Sequence, residues 1–465
     1  MDKIYETLEQ LKEKHVKRLA KVLEQPTIFN DHPNIRKCAE MYASYLREAG
    51  FQQVDLIETD LNPLVYAEYN CCAPKTILVY NYFDILPNDN EDYVFNSKEK
   101  NIESFGSCLT GRGMGKAAGI AFINAVEGCL KSGVKLPVNL KFLAEGEEMY
   151  GSIHIPWFIE NYSDKLKDVD AIFVPSMKQN QQGNIESIQL GGKGFVGYEL
   201  ICSGANWGRG PKKHDSHSST KAIVDSPMWR LVEAMNTLVG NSGKDILIDG
   251  FYDEVRPLTE DEEKYLNLLT ESFKDESMKK KLSVDVFYMD AKGKQVLKQN
   301  LFDPTLNIEG IPYTTLDPVG VVSHKAVAKF QSRIVPNQTV EGLLSKIRAH
   351  LDKRDYSDIE VKKLYGFNAS RTKIDEPIVQ AVLKLYRDEG MPFPLIYPSS
   401  PASSPVNAFN SSLGIPCILG GLGHIGSEAG TSFLVIEEQE KIAGLIKLER
   451  AFIQIIQNYA NFAVA

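Results

Sequence analysis

The sequence predicts an α/β fold, a mostly parallel sheet with flanking helices, plus an inserted α+β domain of ferredoxin-like type. Three observations predict it. Short apolar runs alternate with amphipathic helical stretches up to about Leu190, as in βαβ units. The rhythm breaks near Gly191 and resumes after about Lys373. A chain of 465 residues also exceeds the length at which a single core keeps growing. The expected boundaries are 1–190 with 374–465 for the α/β domain, and 191–373 for an inserted lid or dimerisation domain.

The first helix, M-D-K-I-Y-E-T-L-E-Q-L, places Ile4, Leu8 and Leu11 on one face. A second, Asn34 to Ala49, is closed by Gly50. Strands are expected at Leu64–Tyr69 and Thr76–Tyr82, the latter inside L-V-Y-N-Y-F-D-I-L-P, where Pro87 ends an apolar run that carries Asp84. The turn G-R-G-M-G-K-A-A-G opens a helix to about Leu130, with no clear strand before it. Strands Val138–Leu143 and Ala171–Val174 lead into A-E-G-E-E-M-Y-G-S and Pro175-Ser176. The inserted domain takes strand Phe195–Cys202, helix Pro227–Leu238, strand Ala326–Ile334, helix Val340–Leu351 and strand Ile359–Leu364. The charged stretch Thr259–Asn300 between them is expected as surface helices and an insertion. Strand Pro416–Leu419 and a helix from Glu437 to Tyr459 complete the chain.

Bulk properties exclude several classes. A formal net charge of -9 argues against nucleic acid or an anionic membrane as the main partner. No run could span a bilayer, and the N-terminus lacks the apolar core of a signal peptide, so a cytoplasmic protein is expected. Seven scattered cysteines without C-x-x-C fit reduced thiols in that compartment.

The chemistry is expected where the strands end. Asp84, the acids Glu145, Glu147 and Glu148, and Ser176 all fall there, with Arg112 and Lys116 on the glycine-rich turn between them. Paired carboxylates can divide labour, one moving protons and one orienting a partner. Asp84 and Glu148 are the functional candidates, whereas Glu145 and Glu147 read as solvated strand-end acids. The glycine-rich turn could cradle an anion, but its spacing is not that of a P-loop. The run P-S-S-P-A-S-S-P has no G-x-S-x-G elbow and reads as a loop.

Taken together, L-V-Y-N-Y-F-D-I-L-P, G-R-G-M-G-K-A-A-G, A-E-G-E-E-M-Y-G-S, D-A-I-F-V-P-S, D-S-H-S-S-T, S-R-I-V-P-N-Q-T and S-S-P-V-N-A-F resemble the M20 family of zinc-dependent exopeptidases, dipeptidases and deacylases, in the family's order. The resemblance implies two zinc ions held by two histidines and three carboxylates, with a glutamate base. Here Tyr82 stands where it implies the first histidine, Lys116 at the bridging aspartate, Met149 at the ligand glutamate and Ser176 at the ligand aspartate. The last histidine falls on Gly430 or Glu428. Tyrosine, lysine, methionine and serine are poor zinc ligands at neutral pH. No cofactor and no metal is therefore expected.

Asp84 and Glu148 keep the family's residue types, and His217, Arg333 and Asn337 match its oxyanion, substrate-carboxylate and lid positions. The resemblance also implies a homodimer through the inserted domain, with His217 acting in trans. Two readings compete. One is a degenerate member, a pseudoenzyme that binds a peptide, amino acid or acylated amine without hydrolysis. The other is a metal-independent enzyme for acyl transfer, isomerisation or condensation, with Glu148 as base and Lys116 or Tyr82 as its partner.

Overall fold

In the computed structural model, residues 2–87, 95, 97–240, 243, 245–312, 320–428 and 431–462 are described. The chain forms two units. The first comprises Met1–Leu190, Thr372–Tyr397 and Ser412–Ala465; the second comprises Gly191–Arg371 and Pro398–Ser411.

In the first unit, helices α1 (Asp2–Glu24) and α2 (His32–Ala49) precede strands β1 (Gln53–Ile57), β2 (Leu64–Tyr69) and β3 (Thr76–Tyr82). Asp31 caps α2 by accepting from the Asn34 amide, and Gly50 ends it in the left-handed region. The hairpin β4 (Lys98–Ile102) and β5 (Gly106–Gly111) runs straight into α3 (Met114–Lys131). A strand therefore does precede the glycine-rich turn, against the expectation from sequence. Strand β6 (Asn139–Glu145), helix α4 (His154–Asn161) and strand β7 (Ala171–Pro175) come next.

The main sheet has the order β1, β2, β6, β3, β7 and then Cys417–Gly420. Pairs β6–β3, β3–β7 and β7 with Cys417–Gly420 are parallel, and the first two pairs are antiparallel. The mostly parallel α/β fold is thus observed, with an antiparallel edge. Its central strands are buried on both faces, so β3 reads as a nearly unbroken apolar run. Helix α3 crosses one face so closely that a Cβ on Gly119 would lie 2.2 Å from Asn81 Oδ1. The C-terminal helix, Leu445–Asn461, begins later than expected, after Gly444 at its cap.

In the second unit, four antiparallel strands take the order Thr305–Gly310, Lys325–Ile334, Gly194–Ser203 and Glu360–Phe367. Helices Pro227–Asn236 and Val340–Asp352 cover one face, burying Tyr198, Leu200, Leu231, Phe330 and Ile347. The charged stretch forms helices Glu260–Ser272, Asp275–Leu282 and Lys294–Phe302. Among the described residues, no helix is long and apolar enough to cross a membrane.

Candidate functional site

The carboxyl ends of β3 and β6 lie side by side, with Tyr82 opposite Glu145 in the parallel register. The chain then turns at both ends. After β3, the Phe83 amide donates to the Glu145 carbonyl at 3.0 Å, and Asp84 comes next. After β6, residues 145–152 fold into a tight turn closed by the amides of Tyr150 and Ser152 donating to the Glu147 carbonyl at 3.0 and 2.9 Å.

Asp84 joins the two turns. Its Oδ1 accepts the Glu148 amide at 3.1 Å and its Oδ2 the Met149 amide at 2.8 Å. It is 1% exposed. Burial pushes its carboxyl up to about 6, even though these amides favour the charged form. Glu148 is pushed up to about 7, by burial first and by the Asp84 charge second. The Tyr82 phenol rises to about 12 through burial and the Glu148 and Asp84 charges, so it stays a proton donor at neutral pH. Among the described residues, the Glu148 carboxylate has no hydrogen-bond or ion-pair partner.

Lys116 takes another direction. Its ammonium, 1% exposed, donates to the Gln25 carbonyl at 2.7 Å and lies 5.5 Å from the Phe95 ring centroid. Burial, with a smaller push from Arg112, brings it down to about 8. The expectation that Lys116 supplies a cation beside Asp84 and Glu148 is corrected. The first turn of α3 points the side chain at the 25–27 segment, where a carbonyl satisfies it.

Glu145 and Glu147 are not solvated either, as both are 0% exposed. Tyr80 donates its hydroxyl to Glu145 Oε1, and burial raises the Glu145 carboxyl well above the usual range. Glu147 Oε1 accepts the Asn62 amide at 2.9 Å, and its Oε2 lies 2.6 Å from His154 Nδ1. Tyr80, Asn62 and His154, which bond Glu145 and Glu147, and Gln25, whose carbonyl holds Lys116, carried no signal as site residues, because no motif links them to the groups they touch.

The described residues do not fit a two-zinc centre. Ser176 occupies the end of β7 with its amide on the Gly420 carbonyl at 3.0 Å. Met149 offers a thioether and an amide already given to Asp84. Tyr82 holds its proton, and Lys116 turns its ammonium to the Gln25 carbonyl and offers no ligand atom. No group of three or more His, Cys, Asp or Glu among the described residues could hold a metal ion. Gly430, one of the two positions for the last histidine, lies outside the described residues; Glu428 ends the strand Ile425–Glu428.

The remaining candidates lie in the second unit. His217 is exposed, and its Nδ1 accepts the Ser219 amide at 3.2 Å and sits 2.9 Å from the Ser219 hydroxyl. Arg333 Nη1 donates to Ser403 Oγ at 2.7 Å, and its guanidinium lies 5.5 Å from the Phe195 ring centroid. Asn337 has φ 78° and forms the turn after Pro336. Ser403 in turn donates to the Lys193 carbonyl at 2.5 Å, so Arg333 and the 398–411 loop form one network.

Comparison with known proteins bears on the chemistry. The family described as Peptidase family M20/M25/M40 matches residues 78–458. The Cys-Gly metallodipeptidase dug1 of Schizosaccharomyces pombe is 28% identical over 392 residues, covering 79% of each chain. The Beta-Ala-His dipeptidase of Homo sapiens is 30% identical over 301 residues, which covers 62% of this chain and 56% of that one. Among solved structures, an M20 family metallo-carboxypeptidase from Sulfolobus solfataricus superposes with a TM-score of 0.76 at 27% identity, covering 95% of this chain and 99% of that one. These findings overturn both readings drawn from the replaced ligands. Relatives along most of the chain are named as dipeptidases, which points to a peptidase. It points neither to a non-hydrolysing binder nor to an enzyme of acyl transfer, isomerisation or condensation. The physical error lay in equating a changed ligand set with lost hydrolysis. The ligands bear on how a carbonyl is polarised, whereas a strand-end carboxyl with a raised pKa, Glu148, is present.

Proposed function

This chain belongs to the M20/M25/M40 peptidase family, and from that premise we propose that it is a peptidase acting on short peptides at the strand-end site of its first unit. The observation that carries the proposal is Glu148, a carboxyl without a partner among the described residues, poised at about 7 beside the buried Asp84.

In this reading, ionised Glu148 takes a proton from the water that attacks the amide carbonyl and delivers it to the leaving amine. The Tyr82 hydroxyl donates to the carbonyl oxygen as negative charge builds on it. Asp84 holds the Glu148 amide and fixes the turn. General acid–base transfer contributes roughly 10²–10⁴-fold, and one oxyanion donor about 10²–10³-fold. Holding peptide and water in place supplies the rest.

The finer part concerns the metals. With tyrosine, lysine, methionine and serine at four ligand positions, we take the site to work without a zinc pair. A homodimer through the second unit, carrying the exposed His217, belongs to the same reading, as do Arg333 and Asn337 as substrate contacts and a cytoplasmic location. Purified protein is assayed on Cys-Gly and β-Ala-His with chelator, without additions, and with added zinc. Amino-acid release that persists in chelator and disappears in Glu148→Gln is the expected result. No release under any condition overturns the peptidase reading. Release only with stoichiometric bound zinc overturns the metal-free part alone.

A further inference from the structure

His154 stands between two carboxylates. Its Nδ1 lies 2.6 Å from Glu147 Oε2 and its Nε2 lies 2.6 Å from Asp60 Oδ1. The ring is 8% exposed and packs edge-on against Trp157 at 5.8 Å. Each ring nitrogen therefore faces one carboxylate oxygen at hydrogen-bond distance.

The three residues come from different elements. His154 begins α4, Glu147 sits in the turn after β6, and Asp60 lies in the loop between β1 and β2. The same loop reaches Glu147 a second time, because the Asn62 amide donates to Glu147 Oε1 at 2.9 Å. Asn62 is itself held, with its Oδ1 3.0 Å from His32 Nδ1. Both oxygens of a carboxylate that is 0% exposed are thereby satisfied. The Glu147 carbonyl takes the Tyr150 and Ser152 amides, so fixing this residue fixes the path of Glu148 and Met149.

We infer that His154 is a positioning residue, a clamp between Asp60 and Glu147 that holds the 145–152 turn so that Glu148 and Met149 meet Asp84. The inference rests on reading Glu148 as the residue at the chemistry, but its geometry is testable without any reaction. Removing the ring leaves the buried Glu147 Oε2 without a donor. The turn then has to open to hydrate it, drawing the Glu148 and Met149 amides off Asp84.

The test is backbone hydrogen exchange on the whole protein, with turnover of a short peptide measured in parallel. His154→Ala is expected to speed exchange at the Glu148 and Met149 amides at least tenfold, and Asp60→Ala, at an exposed carboxylate, by a smaller factor. Amides at the centre of the second-unit sheet should not change. Where turnover is measurable, kcat should fall about tenfold with KM within twofold, a split that simple loss of stability would not give. Unchanged exchange at Glu148 and Met149 in folded His154→Ala overturns the clamp. If His154→Ala does not fold, unchanged exchange in Asp60→Ala does so. Absence of turnover in the unmodified protein would overturn the peptidase reading and leave the exchange result to decide the clamp.

Discussion

Asp84 accepts the Met149 amide at 2.8 Å, so a carboxylate at the end of one central strand holds the backbone of the turn that ends its neighbour. That contact sits where the family resemblance implies a ligand glutamate, and it uses the main chain of residue 149, which any side chain leaves available. Asp84 acts here through geometry and through charge, since its negative charge helps raise Glu148. In Asp84→Asn the charge disappears and the new amide group faces an N–H donor. The Glu148 titration, read from its side-chain carboxyl 13C shift, should move below its starting value of about 7. A midpoint that stays put would mean that burial alone sets it.

Glu148 gives the pH dependence of the proposed reaction. A base must be ionised, so kcat/KM should rise with pH and level off above a midpoint of about 7. Glu148→Gln keeps the shape of the side chain and loses the proton acceptor. It should cost roughly 10²–10⁴-fold in kcat while leaving the Kd for a short peptide, measured by calorimetry, within a few-fold. Equal loss in kcat and Kd would make Glu148 a binding residue.

How much of this was legible in the sequence depended on whether a residue acted within one element or between several. Strand Thr76–Tyr82 could be bounded at both ends, because a doubly buried parallel strand is apolar throughout and Pro87 punctuates the chain soon after it. The hairpin strand Lys98–Ile102 could not, since K-E-K-N-I is almost wholly exposed and shows no apolar alternation. The C-terminal helix starts later than its local sequence suggests, because E-E-Q-E favours helix whereas Gly444 sets the cap. At the site, Asp84 and Glu148 were visible as strand-end acids. The burial of Glu145 and Glu147 was not, because their donors Tyr80, Asn62 and His154 lie on three other segments. The direction of Lys116 was hidden for the same reason, as the Gln25 carbonyl carries no side-chain signature.

A second buried network away from the site sets a pH dependence of stability. His15 on α1, 0% exposed, lies 2.8 Å from Glu449 Oε2 and 3.7 Å from Glu127 Oε2. Burial works against its charge, but the two carboxylates outweigh it and the ring's pKa is raised above 6.5. The sign comes from linkage: the folded state holds a proton that the unfolded chain releases near 6.5. The stabilisation is therefore complete below about 6.5 and fades as pH rises through the higher folded value. His15→Gln should cost about 3 kcal/mol at pH 6 and clearly less at pH 9, read from urea midpoints. An equal cost at both values would mean that the ring acts by packing alone.

Lys116 makes the opposite prediction. Its ammonium is lowered from 10.5 to about 8, by burial first, so the folded state sheds its proton more readily than the unfolded chain does. Between about 8 and 10.5 the unfolded chain therefore binds more protons, and stability climbs as pH rises through that window. At pH 7 the charged group costs about 3 kcal/mol, of which the bond to the Gln25 carbonyl returns about 1 kcal/mol. Methionine has a similar length and no charge to desolvate. Lys116→Met should raise stability at pH 7 by about 2 kcal/mol and flatten the climb above pH 8. Turnover of a short peptide should stay within about threefold, because the ammonium faces Gln25 and Phe95, away from the Asp84–Glu148 pair. A destabilised Lys116→Met would show that the Gln25 bond outweighs desolvation. A large loss of turnover without loss of fold would return Lys116 to the reacting groups, released from Gln25 when the peptide binds.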